Sequence, residues 1–362
     1  MNKNLSVCIL LKDNYSNLLS CLDSIKDIAD EIIIINASGQ ALEHSRVFPT
    51  NEFSIYTKII DYNWNDDFSG ARNAGLKEVT CQWVLSLDAN DTVGNPRDIL
   101  PYLNSPNDFF FIKFFEKHYS ISVNELKREF ENKWWVSLKN ELQAQEFENI
   151  SLNPMLIKND KSLKYQGRIY ETLSGIDSHD NKDIFSEKIA EIKVHHNFIS
   201  KEQQINETKI TESILLTSIS ENTELKLFYR AKLLSLKLQQ FQAIKQNIID
   251  EIIEVDSLID SVEDKTSFEF FYADVIDYLV NEKSEYVPIL LNKALEIFPM
   301  SLYIHFNLYY LFLLSGKIPE AIKTLIFMLN HDKPFLYSKF PARILDPDYL
   351  NVLIATTYFE LG

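Results

Sequence analysis

Three cysteines in 362 residues, Cys8, Cys21 and Cys81, are too few for a disulfide framework, and their spacings fit no zinc motif. Cys8 and Cys81 lie in apolar strand-like runs and read as small reduced core residues. Basic residues are also short: 36 Lys and Arg stand against 52 Asp and Glu, a formal net charge of −16. That balance excludes nucleic acid as the expected partner and disfavours an anionic membrane surface as a general one, though it leaves room for a local basic patch. No run of about twenty apolar residues occurs, so no transmembrane segment is expected. The opening MNKNLSVCILLKD has no long apolar core and no small-residue cleavage site, so it is not read as a signal peptide. Neither a G-x-G-x-x-G nor a Walker lysine loop is present, so neither of these phosphate-binding loops is available. A bacterial-type cytosol is the default location.

What is present suits two or three domains, and a 46% hydrophobic content can fill their cores. Residues 5–11 read as a fully buried strand. An amphipathic helix follows, with Leu18, Leu19, Leu22 and Ile25 at helical spacing. Residues 31–35, EIIII, form a second buried strand with the exit loop Asn36-Ala37-Ser38-Gly39. Residues 41–47 suit a short helix and 53–60 a third strand. This alternation predicts a parallel sheet with right-handed crossovers.

Residues 62–91, YNWNDDFSGARNAGLKEVTCQWVLSLDAND, hold the densest chemistry. An aromatic, acidic loop leads into a helical run with Ala71, Ala74 and Leu76 near one face. The strand 82–87 then delivers Asp88, Asn90 and Asp91 at its tip. Open α/β sheets bind ligands at the carboxyl ends of their strands; Asp and Asn are also ordinary turn formers. Further on, 96–103 reads as a short helix, and 109–115 and 155–158 as strands. The segment containing Trp134 and Trp135 has no clear assignment. Residues 167–173 form a compact loop with Arg168, Tyr170 and Glu171. Residues 187–196 alternate as a strand ending on His195-His196.

From about Lys201 helical periodicity takes over. Tyr278, Ala294 and Pro299 sit where a repeat of about 34 residues wants its packing residues and terminal proline. Val287 and Ala321 stand about one such period apart, and residues 316–322, GKIPEAI, resemble an inter-helix turn. A weaker unit spans 224–253, with Ala231 and Ala243 at close-packing sites. The final DYLNVLIATTYFELG resembles the first helix of another unit. It either caps the array or belongs to a longer protein. The expected organisation is an α/β domain over residues 1–200 and an all-α, tetratricopeptide-like domain over 201–362.

These residues resemble family 2 glycosyltransferases of the GT-A fold, in the subgroup with tetratricopeptide repeats behind the catalytic domain. The resemblance rests first on Asp67-Phe68-Ser69-Gly70-Ala71-Arg72-Asn73 with Leu87-Asp88-Ala89-Asn90-Asp91. The loop 167–171, GRIYE, and the run His195-His196-Asn197-Phe198 add to it. Four positions depart from the family pattern: Asn36 replaces an acid, Asn90 the second acid of DxD, Tyr170 a histidine and Met155 an arginine.

The resemblance implies a Rossmann-like mixed sheet and transfer from a nucleotide sugar, a UDP-sugar by preference. Leu11, Asn36, Asp67, Arg72, Asp88 and Ala89 would contact that donor, with Leu10, Lys12 and Asp66 nearby. A divalent ion, Mn2+ or Mg2+, would be held by Asn90, Asp91 and His195, with His196 as a rival; a mixed oxygen and nitrogen shell favours Mn2+. Asp88 would contact ribose or metal and serve catalysis. Glu171 is the candidate general base for an inverting displacement, with Asp177 and Asp180 as fallbacks; an ion-pair role for Glu171 competes. The acceptor would be a protein, a peptide or a cell-envelope saccharide, the last fitting work at the inner membrane face. Helical repeats also offer an oligomer contact. The competing reading is a decayed domain kept as a binding or scaffold module. A nucleotidyltransferase is disfavoured by the missing glycine-rich loop after Leu11.

Overall fold

In a computed structural model of the protein the described residues are 4–12, 15–40, 42, 56–118, 147–160, 163–174, 189–196, 201–221, 224–239, 246–282, 284–330, 340–341 and 347–359. The readings for the helix at 41–47, for Trp134, Trp135, Asp177 and Asp180, for Asn197 and Phe198, and for Ala243 fall outside them. The chain divides into two compact units, Met1–Glu116 with Leu152–Ile214, and Lys117–Ser151 with Leu215–Gly362.

The first unit is built on a mixed sheet. Strands β1 (Leu5–Leu11), β2 (Glu31–Asn36), β3 (Tyr56–Asp61), β4 (Trp83–Asp88), β5 (Asp91–Val93), β6 (Phe109–His118), β7 (Phe147–Lys158) and β10 (Ile189–His196) follow one another in the order 3-2-1-4-7-6-10-5. β1 and β2 are buried at every position, as their unbroken Val, Ile and Leu runs require of strands covered on both faces. β3 lies at the edge, and Tyr56 at its start is 57% exposed. β1 runs parallel to both β2 and β4, and β2 parallel to β3. Helix α1 (Tyr15–Ile25) joins β1 to β2, and α2 (Phe68–Leu76) joins β3 to β4. The strand order therefore reverses at β1, the point where such sheets open a crevice at their carboxyl ends. Leu11, Asn36, Asp61 and Asp88 end the four strands that border it.

Two amphipathic faces differ from the sequence expectation. In α1 the buried residues are Leu18, Cys21, Leu22 and Ile25, whereas Leu19 is exposed, because the helix turns Cys21 rather than Leu19 toward the sheet. In α2 the buried residues are Ala71 and Gly75, not Ala74 and Leu76. Ala71 and Gly75 are four residues apart and so share one face of the helix, while Leu76 is turned away from it.

At the opposite end of the sheet Glu31 is fully buried. It accepts bonds from Ser6 Oγ at 2.5 Å, Thr80 N at 2.9 Å and Thr80 Oγ1 at 2.8 Å. This clasp ties β1 and β2 to the entry of β4. It leaves the carboxyl ends free to carry chemistry.

The second unit is helical. It contains α4 (Lys226–Gln239), α5 (Gln246–Asp260), α6 (Glu269–Asn281), α7 (Val287–Ile297), α8 (Leu302–Leu314), α9 (Ile318–Leu329) and α10 (Pro347–Phe359), preceded by α3 (Lys201–Ser220), which straddles the division. Ala231, Ala294 and Ala321 are fully buried, so neighbouring helices approach closely at these positions. Tyr278 and Val287 are buried in the same core as Ala231 and Ala294, whereas Ala321 packs in a separate cluster with Leu325 and Leu350. The turn between α8 and α9 has Gly316 at φ +69°, with Lys317 N bonded to Phe312 O at 2.9 Å. A left-handed glycine ending one helix and Pro319 opening the next make the connection abrupt. Among the described residues, no helix is long and apolar enough to cross a membrane.

Candidate active site

The site is assembled from α2 outward. Asp67 has extended backbone and accepts bonds from Gly70 N at 2.9 Å and Ser69 Oγ at 2.8 Å, so the acid read as a nucleotide contact is here the helix cap. A Cβ on Gly75 would lie 2.7 Å from Ile35 Cδ1 and 3.6 Å from Cys8 Sγ; glycine therefore lets α2 lie close against β1 and β2. That close seat directs Arg72 across the strand tips.

Arg72 holds two carboxylates at once. Nη2 donates to Asp88 Oδ1 at 2.8 Å and Nε to Glu171 Oε1 at 2.5 Å, with the Arg72 and Glu171 side chains each 13% exposed. Burial pulls the guanidinium pKa down, but Asp88 and Glu171 more than offset this, so the group stays charged. Its carbon lies 5.8 Å from the centre of the Tyr165 ring. The Tyr165 hydroxyl donates to Ser86 Oγ at 2.8 Å, and burial pushes its pKa up to about 12.

Glu171 arrives on a loop that α2 itself grips. Strands β8 (Tyr165–Gln166) and β9 (Thr172–Leu173) pair antiparallel around GRIYE. Gly167 at φ +94° and Tyr170 at φ +54° make the reversal. Asn73 Nδ2 donates to Tyr165 O at 2.8 Å while Tyr165 N donates to Asn73 Oδ1 at 2.9 Å. Phe68 N donates to Arg168 O at 2.8 Å, and Arg168 Nη1 to Asn65 O at 3.1 Å. The two most distinctive motifs of the sequence are thus one bonded unit.

The turn after β4 is equally bound. Ala89 N donates to Leu10 O at 2.9 Å, fixing the tip of β4 beside that of β1. Asp91 is 1% exposed and both its oxygens are engaged: Oδ2 accepts from Asp88 N at 2.7 Å, and Oδ1 lies 2.7 Å from His196 Nδ1. Burial raises the Asp91 pKa against the opposing pull of His196. Asn90 Oδ1 accepts from Asn17 Nδ2 at 3.2 Å. His195 stacks on Phe115, with ring centres 5.3 Å apart, and its Nε2 lies toward Gly94. The histidine that meets the acidic turn is therefore His196. Asn90 is thus bonded to α1, Asp91 has both oxygens engaged and His195 stacks on Phe115. Among the described residues, no group of three His, Cys, Asp or Glu is placed to hold a metal ion.

Asn36 closes the other side. It is 3% exposed, and its amide is fully used: Nδ2 donates to Gln40 O at 2.8 Å and Asp61 Oδ1 at 2.6 Å, and Oδ1 accepts from Ser38 Oγ at 2.7 Å and Ser38 N at 3.3 Å. The exposed carboxylate at this edge is Asp61, its register partner on β3. Leu11 is buried, and its carbonyl accepts from Ala37 N at 2.8 Å, so little of it remains to meet a ligand. Lys12 projects its ammonium over Trp64, 4.7 Å from the ring centre, and Trp64 meets Phe68 edge-on at 4.8 Å.

Sequence reasoning missed Asn17, Asp61, Trp64, Tyr165 and the partner role of Asn73. Asn73 stands inside the quoted motif and had a signal. Asn17 and Asp61 had none, because only the packing of α1 and the register of β3 bring them to the site.

Residues 6–153 match the family model described as Glycosyl transferase family 2. That stretch is therefore similar to a family 2 glycosyltransferase domain. The family 2 match ends at residue 153, before the GRIYE loop that supplies Glu171. Over 86 residues the chain is 33% identical to a TPR repeat-containing protein of Synechococcus elongatus, a stretch covering 24% of this chain and 20% of that protein. Among solved structures, S. aureus TarS aligns over 80% of this chain and 50% of its own at 13% identity and TM-score 0.34. TarS 1–349 in complex with UDP-GlcNAc aligns over 86% and 91% at 13% identity and TM-score 0.33. The chain thus spans one fifth of the cyanobacterial relative's length and half that of the full TarS chain.

Proposed function

We propose that the protein is a glycosyltransferase that moves a sugar from a nucleotide sugar, a UDP-sugar by preference, to a protein, peptide or cell-envelope saccharide acceptor, with inversion at the transferred carbon. The observation that carries this reading is the buried Arg72 joined to Asp88 at the reversal point of a family 2 sheet. A charged guanidinium 13% exposed at strand tips suits an anionic diphosphate, which accepts paired N–H bonds. Lys12, Trp64 and Phe68 give the same crevice a cationic, aromatic wall suited to a nucleobase.

At Arg72 itself two carboxylates, Asp88 and Glu171, meet one guanidinium. A dianionic donor therefore calls for added positive charge. Hard oxygen donors suit Mg2+ or Mn2+, which commonly take one or two protein oxygens and complete their shell with substrate phosphates and water. Asp88, through the oxygen not bonded to Arg72, and Asn90 would hold such an ion. It would offset charge on the departing diphosphate. Asp91 would support that turn through Asp88 N and His196, without reaching the ion.

The reading is tested by incubating the protein with a panel of sugar nucleotides, with Mn2+ or with EDTA, and following thermal stability and release of free sugar. Stabilisation and slow hydrolysis with at least one donor are expected. If no nucleotide shifts the melting temperature in either condition, the enzyme reading fails and the binding-module alternative takes its place.

A further inference from the structure

We infer that Glu171 is a positioning residue that fixes the Arg72 guanidinium for an anionic nucleotide, and not the general base. The inference rests on the nucleotide-sugar reading for the identity of the ligand. It rests on the loop geometry for the role of Glu171.

Glu171 occupies the Nε face of a guanidinium whose Nη2 face is held by Asp88, and the Arg72 and Glu171 side chains have the same low exposure, 13%. A buried guanidinium needs its counter-charges close and hydrogen-bonded. A general base must take up a proton during the reaction. Protonating Glu171 would strip Arg72 of one of two counter-ions at the moment its charge must stay fixed. The surrounding bonds serve the same end. Asn73, one position along α2 from Arg72, clamps Tyr165 through two bonds, and Phe68 N binds Arg168 O. The loop is thereby held to the helix that carries Arg72, so Glu171 and its arginine keep one geometry. Tyr165 completes the seat beneath the guanidinium, anchored by Ser86. A base poised for an acceptor hydroxyl would instead be held by groups other than the donor-binding arginine.

The test has two arms, both on the full chain. The first is a double-mutant cycle in urea unfolding with Arg72→Met, Glu171→Met and the double variant. Arg72→Met takes the cation from both Glu171 and Asp88, and Glu171→Met leaves Arg72 on Asp88 alone, so the double variant is expected to lose clearly less than the two losses added; additive losses would overturn the ion-pair role. The second arm measures UDP binding by calorimetry and donor hydrolysis against pH. Glu171→Ala is expected to weaken UDP binding at least tenfold. Glu171→Gln, which keeps an acceptor oxygen, should recover most of that loss, and the shape of the hydrolysis pH profile should persist in both. A hundredfold or larger fall in kcat in Glu171→Gln with UDP affinity intact would make Glu171 the base and overturn the inference. Failure of the wild type to bind UDP or any other nucleotide of the panel, alongside a coupled cycle, would sink the nucleotide reading and with it the ligand assigned to Arg72, leaving only the ion pair.

Discussion

Asn73 spends its whole side-chain amide on the backbone of one residue, Tyr165, donating to its carbonyl at 2.8 Å and accepting from its N–H at 2.9 Å. This side chain mimics a strand edge and holds the 165–173 loop against α2. Asn73→Ala would leave both groups of Tyr165 without their partner. At about 1 kcal/mol or somewhat more for each, the variant should lose about 2–3 kcal/mol in urea unfolding. Asn73→Asp should do no better, because a carboxylate set against the Tyr165 carbonyl repels it.

The thiols offer a second check. Cys8, Cys21 and Cys81 are all buried and free, and burial pushes the Cys8 pKa up to about 12. A thiol reagent at pH 8 should therefore find no fast-reacting group in the native protein and three after denaturation. The same shift affects stability. The unfolded thiol ionises near its ordinary value of about 8.5, so above that pH the unfolded state binds fewer protons than the native one and stability falls. The loss should grow until about pH 12, and Cys8→Ser should lessen it between about pH 8.5 and 10, while the Cys21 thiol, also pushed up by burial, keeps the rest.

Much of this was legible in the sequence because it depends on local chemistry. The unbroken apolar runs at residues 5–11 and 31–35 could only be strands covered on both faces, and LDAND at a strand tip marked the crevice. What escaped was set by long-range register. Leu19 looked apolar enough to face the core, but the sheet took Cys21 in its place. Asp91 and His195 both looked like metal donors. Pairing of β5 with β10 sets His196 opposite Asp91, and the second oxygen of that carboxylate accepts from Asp88 N. Glu171 had two readings in the sequence, and only folding shows that its partner is Arg72 and not the neighbouring Arg168.

The close seat of α2 makes a prediction about packing. Ile35 is 1% exposed, so its side chain has little room to yield to a group placed on Gly75. A single added methyl would trade this clash against the better helix propensity of Ala, about 1 kcal/mol. Gly75→Val has no such compensation and should cost about 2–3 kcal/mol by overpacking. Nucleotide binding should weaken in step, since Arg72 rides on the same helix.

The last prediction concerns the departure at position 36. Restoring an acid there, Asn36→Asp, looks like a repair toward the family pattern. In this chain it should do harm. Asn36 Nδ2 donates to Asp61 Oδ1 at 2.6 Å and to Gln40 O at 2.8 Å; an aspartate would turn both donations into contacts between acceptors and set two carboxylates side by side. Like charges so placed cannot comfortably both ionise, and the expected cost is about 1–3 kcal/mol. The remedy lies across the register, not at the site itself. Asn36→Asp with Asp61→Asn exchanges donor and acceptor between the two strand tips and should recover most of the loss of the single change. Denaturant unfolding of the two single variants and the double one decides it. Recovery would mean that the acid has moved from β2 to β3 as one of a coupled pair. An Asn36→Asp variant as stable as the wild type would show that the two tips are independent.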